Sequence, residues 1–319
     1  MRILIWHVHG SWTTSFVHGP HDYLLPVLPD RGPDGRGRAQ TWDWPAAARE
    51  LTPEQLAGEA FDAVVLQRPH EAGLLERWTG RRPGRDVPAV YVEHDTPRGP
   101  AATTRHPMAE RTDVPVVHVT HFNRMMWDNG EAPTEVVEHG VLDPGHLYTG
   151  ERGSLAVVVN EPVRRSRIAG TDLVVDLGRQ LPVEVYGMGM AELAAAAPHL
   201  AGGLHENYPQ HRLHAALGAH RAYFHPYRWT SLGLALLEAM TLGMPVLGLA
   251  TTEAPRAVPP EAGLLSNDPR ALAAQARAWL ADPDAAAAAG SAAREHALAH
   301  YGTDRFHADW DRILEKVTA

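Results

Sequence analysis

The amino-acid sequence predicts an α/β protein built on mainly parallel sheets and spread over two domains. Three observations carry this. The 319 residues exceed what one ordinary α/β domain needs and suffice for two. Short apolar runs at 61–66, 88–92 and 114–119, separated by helical or loop stretches, alternate as the strands and crossovers of a parallel sheet do. A second series of the same kind opens at 155–159 and continues at 182–186 and 221–225.

Composition narrows the function classes. A hydrophobic content of 44% with 21% charged residues is that of a soluble globular protein. The first apolar run, Met1 to Trp6, is cut off by His7 and has no signal-peptide pattern. Only 232–250 is long enough to suggest a membrane span, and Glu238 and Pro245 inside it predict a buried helix and strand instead. The absence of cysteine excludes disulfides and thiolate metal sites and fits the cytoplasm. We therefore expect a cytoplasmic protein without a transmembrane segment, at most peripheral at the inner face of the membrane. A net charge of −9 argues against nucleic acid as a partner. Lys316 is the sole lysine, so any grip on phosphate must come from arginine, histidine or backbone N–H groups. The Ala, Arg, Gly and Pro bias is that of a high-GC bacterial genome.

Along the chain, residues 2–6 predict the first strand and His7 to Thr14 the loop that leads into a helix. In an α/β sheet that loop lies at the carboxyl edge, where ligands bind. His7 and His9 form a His-x-His pair, but no third ligand stands at a suitable spacing, and the alternation of a strand end explains them equally well. The run 29–38 is rich in Gly, Pro and Asp and reads as a mobile surface turn. Polar residues close each of the next strands: Gln67 to His70, Glu93 to Thr96, and Thr120 to Arg124. Such groups, gathered at the carboxyl ends of several strands, point to a site rather than a core. In the second half a basic loop runs from Asn160 to Gly170, and the strand at 182–186 ends in Gly187-Met188-Gly189. Later come a helix from Asp268 to about Leu280, a helical Ala-rich stretch at 285–297, and a terminal helix with Phe306, Trp310 and Ile313 on one face. Asp309 and Asp311 read as Asp-x-Asp, but on a helix they point about 200° apart and cannot share a metal.

The most informative stretch is 226–250. Ser231 as N-cap, Gly243 as stop and Pro245 beyond it predict a helix from Leu232 to Leu242 that is apolar on every side except at Glu238. A carboxylate among Leu234, Ala235, Leu237 and Leu242 either meets an arginine from elsewhere or faces a cleft. The N–H groups of Ser231, Leu232, Gly233 and Leu234 make the other end of this helix an anion site. Phosphates held there would leave a ribose within reach of Glu238, one turn further on.

Ser231-Leu232-Gly233-Leu234, followed by Glu238-Ala239-Met240-Thr241-Leu242-Gly243-Met244-Pro245-Val246, resembles the donor-site motif of the GT-B glycosyltransferases, specifically the retaining glycosyltransferase family 4. Thr230 stands where that family carries the first glutamate of its Glu-x7-Glu pair. His139-Gly140-Val141 with Asp143 is similar to the passage that ends the family's first domain, which puts the boundary near residue 148. The resemblance implies two Rossmann-like domains facing a cleft: 1–148 for the acceptor, 149–302 for the donor, and a helix over 303–319 crossing back to the first domain. It implies transfer of a sugar, with retention and without metal or other cofactor, from a nucleotide-diphosphate sugar to a hydroxyl of a glycan, lipid or natural product. By position in the motif, His94, Arg164 and Arg165 are the catalytic candidates, the arginines standing near the family's pyrophosphate-binding lysine. Gly10, Ser11, Gly187, Asn207, Tyr208, Thr230 to Leu234 and Glu238 are the donor-binding candidates. His121 and Glu93 are placed on the acceptor side. Loss of the first glutamate keeps two other classes in view: a non-catalytic nucleotide-binding module, and a nucleotide-sugar epimerase or phosphorylase of the same fold.

Overall fold

The computed structural model describes all 319 residues. Packing divides the chain into two units, Met1–Gly140 with Thr303–Ala319, and Val141–Gly302. The division falls at Gly140/Val141 rather than near residue 148.

The first unit is a parallel sheet of seven strands: β1 (Arg2–Ile5), β2 (Asp22–Pro26), β3 (Ala48–Leu51), β4 (Ala63–Leu66), β5 (Ala89–Glu93), β6 (Val116–His118) and β7 (Thr134–Val136). Their order across the sheet is β3-β2-β1-β4-β5-β6-β7. The helices between them are α1 (Gly10–Val17), α2 (Pro53–Gly58), α3 (Glu71–Thr79) and α4 (His121–Met126). Strands β4, β5 and β6 are the three apolar runs read from the sequence, and they carry continuous buried stretches because helices cover both faces. Neither β2 nor β3 was expected. Ala48-Arg49-Glu50-Leu51 has no apolar run because β3 is an edge strand with Arg49 in solvent. The turn at 29–38 is not a loose loop. An antiparallel bridge joins Val27 to Arg36, Gly37 N–H donates to the Pro26 carbonyl, and the Arg31 guanidinium grips both oxygens of Glu50 at 2.9 and 3.0 Å.

The second unit repeats the plan with six parallel strands: β8 (Arg152–Val158), β9 (Val183–Gly187), β10 (Leu204–Glu206), β11 (His220–His225), β12 (Val246–Gly248) and β13 (Gly263–Leu265), in the order β10-β9-β8-β11-β12-β13. Its helices are α5 (Pro162–Arg165), α6 (Thr171–Gly178), α7 (Met190–Ala196), α8 (Gln210–Ala219), α9 (Leu234–Leu242), α10 (Ala254–Ala257), α11 (Pro269–Ala281) and α12 (Pro283–Tyr301). Both sheets are doubly wound, so each has a switch point where the strand order reverses: β1/β4 in the first unit and β8/β11 in the second. The Ala-rich stretch of α12 has a packing role. Ala286, Gly290, Ala293 and Ala297 are buried on one side of it, and a Cβ on Gly290 would lie 2.0 Å from the Gly243 carbonyl oxygen that ends α9.

The chain closes with α13 (Thr303–Thr318), which belongs to the first unit. It buries Phe306, Trp310, Ile313 and Leu314, the face expected from its spacing with one residue added. Trp310 meets Trp12 and Phe16 edge-on at 5.7 and 5.2 Å, and the Arg305 guanidinium donates to the Glu138 and His139 carbonyls. No helix is long and apolar enough to cross a membrane. Trp310 is 2% exposed, so Trp310→Ala should cost about 3–5 kcal/mol of unfolding free energy. Urea denaturation followed by circular dichroism measures it, and a loss below about 1 kcal/mol would mean that α13 is not part of this core.

Candidate active site

In the second unit the loops after β8 and β11 flank the switch point. Helix α9 begins at Leu234 with Gly233 at its N-cap, not at Leu232 with Ser231. The chain stays extended there because Leu232 is packed into the core and the His225 ring lies against Gly233. A Cβ on Gly233 would sit 2.7 Å from His225 Cε1. The close approach for which Gly233 is needed is therefore made by a side chain of the same unit. His225 is fully buried with Nδ1 unpartnered, and burial lowers its pKa to about 3. Leu236 N–H donates to the Gly233 carbonyl at 2.9 Å, the N–H groups of Leu234 and Ala235 remain outside the helix ladder, and Thr230 and Gly233 are partly exposed beside them.

Glu238 is buried, and a histidine stands near it. His214 of α8 places Nε2 3.8 Å from its carboxylate and is itself 2.6 Å from the Gln210 amide. Of the two arginines after β8, Arg164 is exposed and tied to Glu161 in a short ion pair. Arg165 carries no ion pair and lies 5.2 Å over the Tyr227 ring, so it is the cation with charge to offer. Arg228 is neutralised by two contacts to Asp172, at 2.6 and 2.9 Å.

Gly187 ends β9 at φ +145, and a Cβ there would lie 2.1 Å from the Val159 carbonyl oxygen. It must be glycine for a contact between neighbouring strands. The loop's N–H groups already have acceptors: Asn160 Oδ1 takes Met188 N–H, and the Glu206 carboxylate takes those of Gly189 and Met190 at 3.2 and 2.8 Å. The N-terminus of α7 is thus capped from within, and Gly187 has no open anion site after it. Asn207 is exposed at φ +44, with its N–H on the Gly187 carbonyl. Tyr208 has the Arg212 guanidinium 3.9 Å over its ring and its hydroxyl 3.1 Å from His205 Nδ1, so one face of the ring is already covered.

In the first unit the loops after β1, β4 and β5 enclose a cavity of about 540 Å3 that includes His9, Gln67, Arg68, Glu93, His94 and Trp127 in its lining. The rings of His9 and His94 are 4.1 Å apart, and Trp12 meets His94 edge-on at 4.9 Å. Burial first, then the nearby His9 and His139, hold the His94 pKa well below its ordinary value. Gln67 connects the loops: its side-chain Nε2 donates to the Trp6 carbonyl at 2.6 Å and its Oε1 is 2.9 Å from His94 Nε2. Glu93 lines the cavity but is held from behind, with Oε2 2.9 Å from His106 Nε2 and Oε1 accepting Asp95 N–H. Arg68 Nη2 is buried in the lining without an acceptor. Gly10 and Ser11 open α1, and a Cβ on Gly10 would meet nothing closer than 3.7 Å, so no close approach demands glycine there. His121, the first residue of α4, is exposed and does not line the cavity. His7 is turned onto the Gly37 carbonyl at 3.1 Å, and no group of three His, Asp or Glu residues is spaced to hold a metal ion.

Sequence reasoning missed Gln67, His139, His225 and the His214 beside Glu238. Gln67 was noted only as one of several polar strand ends. His225 lay inside an apolar strand pattern, with nothing to distinguish it from a core histidine.

Comparison with known proteins adds to this geometry. Residues 203–296 match the family model "Glycosyl transferases group 1". No curated protein sequence matches significantly. Among solved structures, sucrose-phosphate synthase from Thermosynechococcus elongatus superposes with a TM-score of 0.69 at 14% identity, over 99% of this chain and 98% of that one. HepE of Anabaena, in complex with UDP-glucose, gives 0.68 at 15% identity over 99% and 100%. A glycosyltransferase from Rickettsia africae gives 0.65 at 13% identity over 99% and 98%. The fold is GT-B. Within it the matched segment 203–296 contains β11, α9 and Glu238, and α9 follows the second unit's switch point. The likeness therefore falls on the stretch that the sequence singles out.

The buried imidazoles make stability depend on pH. His139 and His225 have pKa values lowered to about 3, and His118 and His220 to about 4, by burial first in each case. Above pH 6.5 both folded and unfolded chains hold them neutral. Below it the unfolded chain takes up protons that the folded chain refuses, so stability falls with pH, by up to about 1.4 kcal/mol per unit for each histidine, until the folded pKa is reached. Urea midpoints between pH 7.5 and 4.5 should drop, and more gently in His225→Asn. A flat profile would show that these rings are not buried neutral.

Proposed function

We propose that this protein transfers a sugar from a nucleotide-diphosphate sugar to a hydroxyl acceptor, with retention and without a metal. The observation that carries the reading is one helix, α9, with open N–H groups at its start, Arg165 in the facing β8 loop, and the buried carboxylate of Glu238 one turn on. The match of 203–296 to group 1 glycosyl transferases and the UDP-glucose bound by HepE support it. On this reading the helix start and Arg165 stabilise the departing diphosphate electrostatically. Glu238 accepts hydrogen bonds from the ribose hydroxyls, Asn207 and Tyr208 flank the base, and Thr230 lies beside the sugar. The first-unit cavity receives the acceptor, with His94 and Glu93 in its wall and Arg68 Nη2 offering N–H groups to an acceptor oxygen.

A second reading, a nucleotide-binding module without turnover, is favoured by two features: Thr230 at the position of the motif glutamate, and, where the family carries an arginine, either Asn160, spent on Met188 N–H, or Glu161, paired with Arg164. Calorimetry with UDP-, GDP- and ADP-sugars, followed by product analysis with and without added acceptors, separates the two. We expect saturable binding of one nucleotide class and a glycoside product. Glu238→Ala and Arg165→Ala should each weaken donor binding by about tenfold to a hundredfold, the value of hydrogen bonds to a charged group. Arg164→Ala should do less, because that guanidinium is exposed and already paired. Unchanged donor affinity in both Glu238→Ala and Arg165→Ala would refute the donor site.

A further inference from the structure

We propose that Gln67 is a positioning residue that fixes His94 as the Nε2–H tautomer, so that Nδ1 is presented as a hydrogen-bond acceptor for a ligand hydroxyl. The part concerning the ligand rests on the reading of the first-unit cavity as the acceptor site; the part concerning the ring does not. Gln67 follows β4, and its amide reaches across the switch point to the chain just after β1. The side-chain Nε2 is 2.6 Å from the Trp6 carbonyl oxygen. A carbonyl only accepts, so that end of the amide must be the NH2. With the amide oriented, Oε1 is the atom 2.9 Å from His94 Nε2, and it too only accepts. The hydrogen between them must therefore sit on the ring, at Nε2. Flipping the amide would set two carbonyl oxygens against each other at 2.6 Å.

The amide cannot readily turn away. Gln67 N–H donates to Glu71 Oε2 at 2.6 Å, and the same fully buried carboxylate takes Arg68 N–H and Arg68 Nε at 3.2 and 2.7 Å. Around the ring stand His9 at 4.1 Å, the edge of Trp12 and the buried His139, none of which brings a carboxylate to draw a proton onto Nδ1. Nδ1 makes no hydrogen bond with the protein, and His94 is part of the cavity wall. A ring held this way accepts from O–H or N–H and has nothing to donate from Nδ1. It favours a ligand hydroxyl over a bare carbonyl or phosphate oxygen.

Long-range 1H–15N spectra of the labelled full-length protein test this directly, with His94→Asn to assign the ring. We expect a protonated Nε2 and a bare Nδ1 from pH 6 to 8. In Gln67→Met, which keeps the volume and removes the amide, both tautomers should appear. Transfer measured in the same variant should lose about tenfold in kcat/KM, the value of one hydrogen bond, with UDP affinity within twofold of the parent. A proton on Nδ1 in the parent, or an unchanged ring in Gln67→Met, overturns the role of Gln67. A redistributed tautomer with unchanged kcat/KM overturns the role of Nδ1 toward the ligand. Absence of any turnover by the parent falls on the transferase reading, and the spectra then decide on Gln67 alone.

Discussion

The second unit depends on burying a nine-residue helix that carries an acid. Helix α9 has Leu236, Leu237, Ala239, Met240 and Leu242 inside and no solvent side to turn Glu238 toward. Such a helix is stable only if neighbours surround it closely, and the small residues of α12 allow this: Gly290 lets that helix pass against the carbonyl of Gly243. Gly243 ends α9 at φ +96, a conformation that glycine adopts without strain, and the chain then turns directly into β12. Packing and capping thus fix the position of the α9 N-terminus within its unit. His214 gives the acid a polar neighbour at 3.8 Å.

The two units solve the same topological problem by different means. Each sheet opens a crevice where its strand order reverses. In the first unit side chains span the gap, with Gln67 reaching Trp6 and His94 while Glu71 anchors the loop. In the second, an aromatic does so: Tyr227, after β11, hydrogen-bonds the Val158 carbonyl of β8 at 3.3 Å beneath Arg165. The first arrangement fixes protonation and hydrogen-bond direction. The second fixes shape and leaves one cation uncompensated. Both restrict motion of the groups that line the crevice, which lowers what binding must spend on ordering them.

The architecture was legible because parallel strands buried on both faces are written as apolar runs, and because the stretch 226–250 carries an acid in a setting where acids are costly. The edge strand β3 was not legible, since half of an edge strand faces water and Ala48 to Leu51 reads like a turn. The start of α9 was misplaced for a related reason. Ser231 has the chemistry of an N-cap, but the His225 ring and the burial of Leu232 keep the chain extended for two more residues, and no local signal reports a contact made by the preceding strand. The turn at 29–38 looked loose because its composition is that of loops, whereas Glu50, distant in sequence, holds it through Arg31. The tautomer of His94 lies at the far end of the same scale: it depends on a glutamine, a main-chain carbonyl and a buried glutamate that no sequence spacing brings together.

The substitutions that set this chain apart from the family motif can be weighed as charge. In the family that the sequence resembles, an arginine and a lysine neutralise the donor pyrophosphate, and the first glutamate contacts the donor sugar. Here Asn160 or Glu161 stands at the arginine's place, Arg164 or Arg165 at the lysine's and Thr230 at the glutamate's, and Arg164 and Glu161 pair with each other. On the transferase reading, a neutral threonine near the positive end of α9 opposes neither the helix dipole nor the phosphates. What changes is the partner offered to the sugar: a hydroxyl, which both donates and accepts, in place of a carboxylate, which only accepts. On the transferase reading, Thr230 therefore bears on which sugar is recognised more than on whether the diphosphate can be held.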